Sequence, residues 1–340
     1  MKPKQFVIFA SLFVCLSFFI TSALAHTPLN PGEEIHSLDT AFEVPNPTKS
    51  WTLYRELHDE GEAEYFKLHL KVEERLRVSI YTKESNENFA PHLIIMGKDL
   101  PLASSLPSFI EIPKGFGASI VEPLAPDMLE YEPFTPTSYY YLIDVDQTIS
   151  DESDYYLAIY EPNSEEGKYG IAIGYKEEFT LSEWLLIPFD VIGIHEWEGQ
   201  SLILILAPLI LSLVLGSALL AWKSIVKLTI FNILGVVAGL FYVGTGFMLL
   251  MQMLFALYGA LFNLLVMLTF VFIALPLFQG LILLRKTNRV EKKLTKTDRV
   301  LFLVLGLIGL FTWSGLLFGP SLVIVASFLP NRYLKRYHKQ

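Results

Sequence analysis

Cysteine is almost absent from this chain, which has 340 residues and a single cysteine, Cys15. That residue lies in an apolar N-terminal stretch that we predict to be removed. The mature chain would then contain no cysteine, so no disulfide framework could form. Asparagine-linked glycosylation sites are also lacking, because Asn46-Pro47-Thr48 carries proline in its middle position. Both absences fit a prokaryotic protein better than an animal or fungal surface protein.

Motifs that carry known catalytic chemistry are lacking as well. His195-Glu196 is not followed by the second histidine of a zinc-binding HExxH motif. No serine stands in a GxSxG context, and no glycine-rich phosphate loop occurs. We therefore expect neither an enzyme nor a nucleic-acid-binding protein.

Basic residues are scarce in the first half of the chain, and acidic residues are scarce in the second half. Between His26 and Gln200 there are 33 Asp/Glu residues and 11 Lys/Arg residues. From Ser201 onward there are 13 Lys/Arg residues, against only Glu291 and Asp298. Such asymmetry predicts two different environments along one chain.

The N-terminus has the pattern of a secretory signal, residues 1–25. Lys2 and Lys4 precede an apolar run, Phe6 to Ile20, which is short for a bilayer span. Ala23-Leu24-Ala25 supplies the small residues that a signal peptidase needs, so we predict cleavage after Ala25. An uncleaved anchor is the alternative.

The acidic part, after an extended proline-containing lead-in at 26–48, has the alternation of β-strands. Glu64 to Val72 and Arg75 to Lys83 alternate apolar and polar residues, and tyrosine-rich runs follow after position 138. Period-2 alternation with Gly, Asn and Pro breaks predicts an antiparallel β-sandwich over residues 49–179.

Three segments of this domain resemble a known family. They are GEAEYFKLHL (Gly61 to Leu70), RLRVSIYT after it, and SDYYLAIYEPNSEEGKYGIAIG (Ser153 to Gly174). In order and pattern they resemble the jelly-roll domains of the bacterial and archaeal pre-peptidase C-terminal family, over about 110 of the 340 residues. The resemblance implies a jelly-roll accessory module that binds calcium or carbohydrate in some members and has no catalytic residues. The proline-rich insert 100–136 departs from the family pattern.

The densest group of carboxylates could offer the oxygen ligands that Ca²⁺ prefers. This candidate calcium site comprises Asp144, Asp146, Asp151, Glu152 and Asp154. Its spacing does not match an EF-hand, and a solvated acidic loop is the simpler interpretation. Apart from calcium, we expect no cofactor.

Adjacent tyrosines on two predicted strands could present rings to a ligand. The candidate ligand-facing aromatics are Tyr139, Tyr140, Tyr141, Tyr155 and Tyr156. They would suit an extracellular polymer or carbohydrate. Alternatively, tyrosine occurs here because it is a good strand former.

Residues 180–199 predict an amphipathic segment beside the membrane. Thr180-Leu181-Ser182-Glu183 has the pattern of a capping box, and Trp184 and Trp197 are candidate interface anchors because indole rings favour the headgroup region. A plain linker is the alternative.

Long uncharged runs make up most of residues 201–330. The runs 201–222 and 228–284 contain no charged residue, and about 20 apolar residues cross a ~30 Å hydrocarbon core as a helix. They predict an all-α transmembrane bundle whose first three helices cover 201–222, 228–256 and 260–284.

Basic residues near helix ends orient the bundle, because such residues stay in the cytoplasm. They are Lys223, Lys227, Arg285, Lys286, Arg289, Lys292, Lys293, Lys296 and Arg299. We therefore predict a cytoplasmic loop at 285–299 and, because it is also basic, a cytoplasmic tail at 331–340. Between them, 300–316 and 318–330 would form a hairpin that turns near Gly319-Pro320. This gives five crossings with an extracellular N-terminal domain in the plasma membrane; four crossings with an external tail is the alternative.

The membrane segments lack the ionisable residues that usually mark a translocation path. Besides the lipid bilayer, we expect membrane-protein partners. The predicted function is a membrane-anchored extracellular binding or accessory module, part of a membrane complex, whose ligand the sequence does not indicate. The competing hypothesis is a transporter or membrane-enzyme subunit with the N-terminal domain as its regulator.

Overall fold

A computed structural model describes residues 26–32, 34–58, 61–83, 89–98, 100–101, 106–126, 128–222, 229–289 and 294–331. The predicted signal and nearly all of the predicted tail lie outside these residues. So do four of the predicted orienting lysines, Lys223, Lys227, Lys292 and Lys293.

The described residues up to position 173 form strands joined by loops. In chain order the strands are β1 (Thr27–Pro28), β2 (Phe42–Glu43), β3 (Trp51–Leu57), β4 (Ala63–Leu70), β5 (Arg75–Thr82), β6 (His92–Gly97), β7 (Gly117–Val121), β8 (Glu130–Glu132), β9 (Thr137–Thr148), β10 (Ser153–Tyr160) and β11 (Gly167–Ile173). We call this part the strand domain.

The strands make two mixed sheets that face each other. Sheet A has the order β1-β3-β11-β5-β9-β8, and sheet B has the order β2-β4-β10-β6-β7. Pairing is antiparallel except for the short parallel pairs β1–β3 and β2–β4. Apolar side chains from alternate positions of both sheets share one buried core, including Leu53, Phe66, Ile80, Leu157 and Ile171. This layered arrangement agrees with the predicted sandwich architecture.

A buried ion pair joins the two sheets. Arg55 on β3 donates from Nε to Glu64 Oε1 on β4 at 2.9 Å, and the Tyr169 hydroxyl on β11 donates to the same carboxylate. Glu64 is 0% exposed. Because a carboxylate without its partner is costly in an apolar core, this pair depends on all three side chains.

Helices follow the strands. They are α1 (Leu181–Trp197), α2 (Leu202–Trp222), α3 (Ile230–Gly259), α4 (Leu264–Arg289), α5 (Lys296–Phe311) and α6 (Phe318–Phe328). The predicted capping box exists at the start of α1, where Thr180 Oγ1 accepts from Glu183 N and Glu183 Oε2 accepts from Thr180 N. Within the described residues, three helices are long and apolar enough to cross a membrane: α2, α3 and α4.

The prediction of five crossings is not supported. Helix α6 has 11 residues, and at about 1.5 Å per residue it is roughly 16 Å long, against a ~30 Å hydrocarbon core. Helix α5 has 16 residues and starts with charged ones. The two form a hairpin, in which Arg299 Nη1 donates to Ser327 O at 2.8 Å. The predicted turn at Gly319-Pro320 is also misplaced, because both residues lie inside α6.

The β8–β9 hairpin rests on the end of the helical bundle. The Tyr131 hydroxyl donates to Thr269 Oγ1 on α4 at 2.8 Å, and Ser138 Oγ donates to Ala256 O on α3 at 3.3 Å. Leu129 forms a parallel bridge with Ala260, just after α3. The strand domain is therefore joined to the helices by direct hydrogen bonds as well as by the chain.

Candidate functional site

A cavity of about 170 Å³ lies where α1 covers the outer face of sheet A. The sheet contributes four tyrosines from three strands: Tyr54, Tyr81, Tyr139 and Tyr141. These positions alternate with core residues along their strands, so their rings project away from the sandwich core. The other side is lined by α1 and by the loop between α5 and α6.

Gly170 makes room for one of these tyrosines, Tyr81. It pairs with Tyr54 on one side and with Tyr81 on the other. A Cβ at Gly170 would lie 2.1 Å from Tyr81 Cε2, so any side chain there would displace the ring. The missing side chain on β11 therefore lets the Tyr81 ring lie over the sheet.

Two tryptophans close the side nearest the bundle. The rings of Trp184 on α1 and Trp313 in the α5–α6 loop have centroids 4.5 Å apart. Trp313 Nε1 donates to Trp184 O at 2.8 Å, and the backbone of Trp313 has φ 51°, a left-handed conformation. Trp184 Nε1 is buried and has no hydrogen-bond partner within the described residues.

Three carboxylates line the cavity: Glu132, Glu177 and Asp190. Burial, together with the nearby charge of Glu177, raises the pKa of Glu132 to about 7, although the N–H of Phe134 donates to it at 3.1 Å. Burial also raises the pKa of Asp190.

No cationic side chain lies among the described lining residues. The lining includes no lysine or arginine. Its one histidine, His26, has a pKa lowered to about 4 by burial and by the charge of Arg77, so its ring is neutral at physiological pH. The described lining is consequently rich in carboxyl groups and aromatic rings and has no lysine or arginine.

A buried polar cluster holds the C-terminal end of α1 against sheet A. Glu198 accepts hydrogen bonds from the Tyr139 hydroxyl at 2.8 Å, from His195 Nδ1 at 3.0 Å and from Thr137 Oγ1. The hydrogen bonds from His195 and Thr137 and the charge of Lys83 outweigh the burial of Glu198 and lower its pKa. Because Tyr139 also lines the cavity, this cluster fixes one ring of the site.

The structure does not gather the candidate calcium ligands. Asp144 and Asp146 on β9 pair with Arg77 and Arg75 of sheet A, at 2.8 Å in each case. Asp154 and Glu152 lie beside sheet B, where His69 contacts them at 2.8 and 3.2 Å, and Asp151 accepts from Ser150. In the described part of the chain, no group of three or more His, Cys, Asp or Glu residues could hold a metal ion.

Of the five candidate aromatics, only Tyr139 and Tyr141 line the cavity. Tyr140 and Tyr155 pack with the core between the sheets, and Tyr156 packs edge-on against Phe116 on the outer face of sheet B. Strand alternation accounts for this split, since neighbouring residues point to opposite faces.

The two predicted anchors pack against protein. Trp197 donates from Nε1 to Arg55 O at 3.2 Å, and its ring lies 4.9 Å from that of Tyr54. Trp184 packs against Trp313, as described above.

Sequence reasoning missed several residues of the site. Tyr54 and Tyr81 could have been placed on the outer face of the sheet, because each occupies a polar-face position of a predicted strand. Glu132 lies in the proline-rich insert, where no register could be assigned. Asp190 and Trp313 gave no signal, since nothing local indicates that their segments meet.

No family model matches this chain, and no curated protein matches it.

Proposed function

We propose that this chain is a membrane-anchored extracellular binding module, an accessory subunit of a membrane complex, and that the cavity under α1 is its ligand site. The observation that carries the proposal is the composition of that cavity, in which sheet A, α1 and the α5–α6 loop each contribute side chains. Ligand sites in proteins are commonly concave, largely apolar and supplied with a few polar groups.

The orientation of the chain belongs to this proposal. Lys286 lies 3.7 Å from Asp298, so the end of α4 and the start of α5 share one basic end of the bundle. The strand domain contacts the opposite end of α4, through Thr269. Basic residues favour the cytoplasm, and this preference supports an orientation with the strand domain outside.

A second function is favoured by the contacts of the β8–β9 hairpin. A ligand beside Glu132 would lie one residue from Tyr131, which bonds to α4. Ligand binding could thus bias the helices, as expected of a transporter or membrane-enzyme subunit that the strand domain regulates.

The binding proposal can be tested by filling the cavity. Val191 lines it from α1, and Val191→Trp adds a ring where a ligand would lie. The matched control is Leu186→Trp, at a position on the same helix whose residue is 50% exposed. Each protein is purified from its native membranes, and small molecules released on denaturation are identified by mass spectrometry. We expect a compound that the wild type and control retain and Val191→Trp lacks. Identical extracts from all three proteins would contradict the proposal.

Orientation is tested with single cysteines in a chain whose Cys15 is replaced. Tyr258 is 97% exposed at the strand-domain end of α3, and Arg285 is exposed near the basic end of α4. A membrane-impermeant thiol reagent on intact cells should label Tyr258→Cys and leave Arg285→Cys unlabelled. The reverse pattern would invert the orientation.

A further inference from the structure

We propose that the cavity under α1 selects a small organic cation, an alkylammonium group about the size of trimethylammonium. This inference rests on the proposed function, because it takes the cavity to be the ligand site. Three features of the lining carry it: its carboxylates, its aromatic rings and its size.

The charge of the lining favours a cation. Within the described residues, no lysine or arginine side chain forms an ion pair with Glu132 or Asp190, and Glu177 adds to the negative field. Elsewhere in the strand domain the exposed carboxylates Asp144, Asp146 and Asp154 pair with basic side chains. Glu132 and Asp190 therefore differ from these three carboxylates in having no basic side chain paired with them within the described residues.

The rings decide which kind of cation fits. Tyr54, Tyr81 and Tyr141 approach from the sheet, and Trp184 and Trp313 approach from the helical side. Aromatic faces attract ammonium groups through the ring quadrupole, and aromatic cages are a recurrent way to bind quaternary ammonium. A metal ion such as Ca²⁺ requires six to eight oxygen ligands, and within the described residues no group of three or more His, Cys, Asp or Glu side chains could hold one.

The volume sets the size of the group. A cavity of about 170 Å³ is close to the ~150 Å³ of an engineered protein cavity that binds benzene. A trimethylammonium group with a short substituent is of that size, whereas a sugar polymer or a peptide is not. The group could arrive as a free amine or as a lipid headgroup, since the helical side of the cavity belongs to elements that pack on the bundle.

Choline and 3,3-dimethyl-1-butanol provide the decisive comparison. The two compounds have the same shape and each carries a hydroxyl group. Choline has a positively charged nitrogen where the alcohol has a neutral carbon. The full chain in phosphatidylglycerol nanodiscs is titrated with each, using tryptophan fluorescence and calorimetry. We expect choline to bind at least tenfold more tightly than the alcohol. Equal affinity, or no binding of choline at millimolar concentration, would overturn the proposal.

Variants locate the binding. Asp190→Asn and Glu132→Gln should each weaken choline binding about tenfold and leave the affinity for the alcohol unchanged. Tyr141→Leu removes a ring without removing charge, and it should also weaken choline binding. The control Glu165→Gln changes an exposed carboxylate outside the cavity and should have no effect. Choline affinity that is unchanged in all three cavity variants would place the cation elsewhere and overturn the proposal.

The source of the ammonium group and the proposed function are decided separately. In phosphatidylcholine nanodiscs, a lipid headgroup that enters the cavity would compete and raise the apparent Kd of choline. An unchanged Kd would indicate a free amine. If choline fails but the Val191→Trp comparison still shows a retained compound, the cation inference is wrong and the binding function stands. If both fail, the binding function is wrong as well.

Discussion

Glu132 makes the stability of this protein depend on pH in a predictable direction. Its pKa rises from 4.5 to about 7 in the folded chain, mainly because it is buried. Below pH 4.5 the carboxyl is protonated in both folded and unfolded chains, and its burial costs little. As the pH rises toward 7 the unfolded chain gives up the proton first, so stability falls over that window and stays low above it.

The size of the effect follows from the shift. About 2.5 pKa units at about 1.36 kcal/mol each give roughly 3 kcal/mol, an upper value because the side chain is partly exposed to the cavity. Glu132→Gln removes the charge and keeps an oxygen that can accept from the Phe134 N–H. We therefore expect the variant to be more stable than the wild type by up to about 3 kcal/mol at pH 8, and nearly equal to it near pH 4.5.

The assay is thermal unfolding of the full chain in a maltoside detergent, followed between pH 4.5 and pH 8. The midpoint of Glu132→Gln should equal that of the wild type near pH 4.5, exceed it increasingly as the pH rises toward 7, and exceed it by several degrees at pH 8. Glu177, Asp190 and His26 also face the cavity, and all three are present in both the wild type and Glu132→Gln. Glu165→Gln is the control for the general effect of removing one negative charge. A midpoint difference that does not change with pH would refute this reasoning.

Four further predictions concern the scaffold that holds the site. Glu64→Gln leaves its arginine partner buried without a counter-charge and should destabilise the chain by about 3–5 kcal/mol in denaturant unfolding. Tyr131→Phe removes one hydrogen bond to α4, worth about 1 kcal/mol, and should speed amide exchange in β8–β9 while leaving the strand core protected. Gly309→Ala places a Cβ 2.1 Å from Tyr242 Oη and should cost about 1–3 kcal/mol by overpacking. In contrast, Gly193→Ala on α1 meets nothing within 4 Å and should be neutral or stabilising in the same thermal assay.

The division into strands and helices could be predicted because it depends on local patterns. Alternation in residues 64–83 marks β4 and β5, and the uncharged run 228–284 contains α3 and most of α4. The hairpin after α4 was less accessible to sequence reasoning. Charge balance indicated a return to the basic side, but the point of return depends on the packing of Gly315 and Gly319 against Tyr242, which no local pattern reveals.

The candidate site was mostly beyond sequence reasoning for a physical reason. Its carboxylates and rings come from several strands, from the segment between β11 and α1, from α1 and from the α5–α6 loop, so it exists only after the strand domain and the bundle meet. Conversely, the carboxylates that are dense in sequence, Asp144 to Asp154, are separated in space because strand alternation and the β9–β10 turn direct them to two sheets. Proximity in sequence was therefore a poor guide to the composition of the site.

Several energetic costs coincide at the cavity. Their coincidence indicates that the cavity is more than a packing defect. Trp313 adopts φ 51°, which is unfavourable for a bulky residue. Trp184 Nε1 is buried without a partner in the described residues, and Glu132 is held where its charge is unfavourable. Strained or unsatisfied groups tend to cluster where function requires them. A bound cation would relieve the cost at Glu132, so choline should raise the unfolding midpoint more at pH 8 than at pH 5. Equal stabilisation at both pH values would separate cation binding from Glu132.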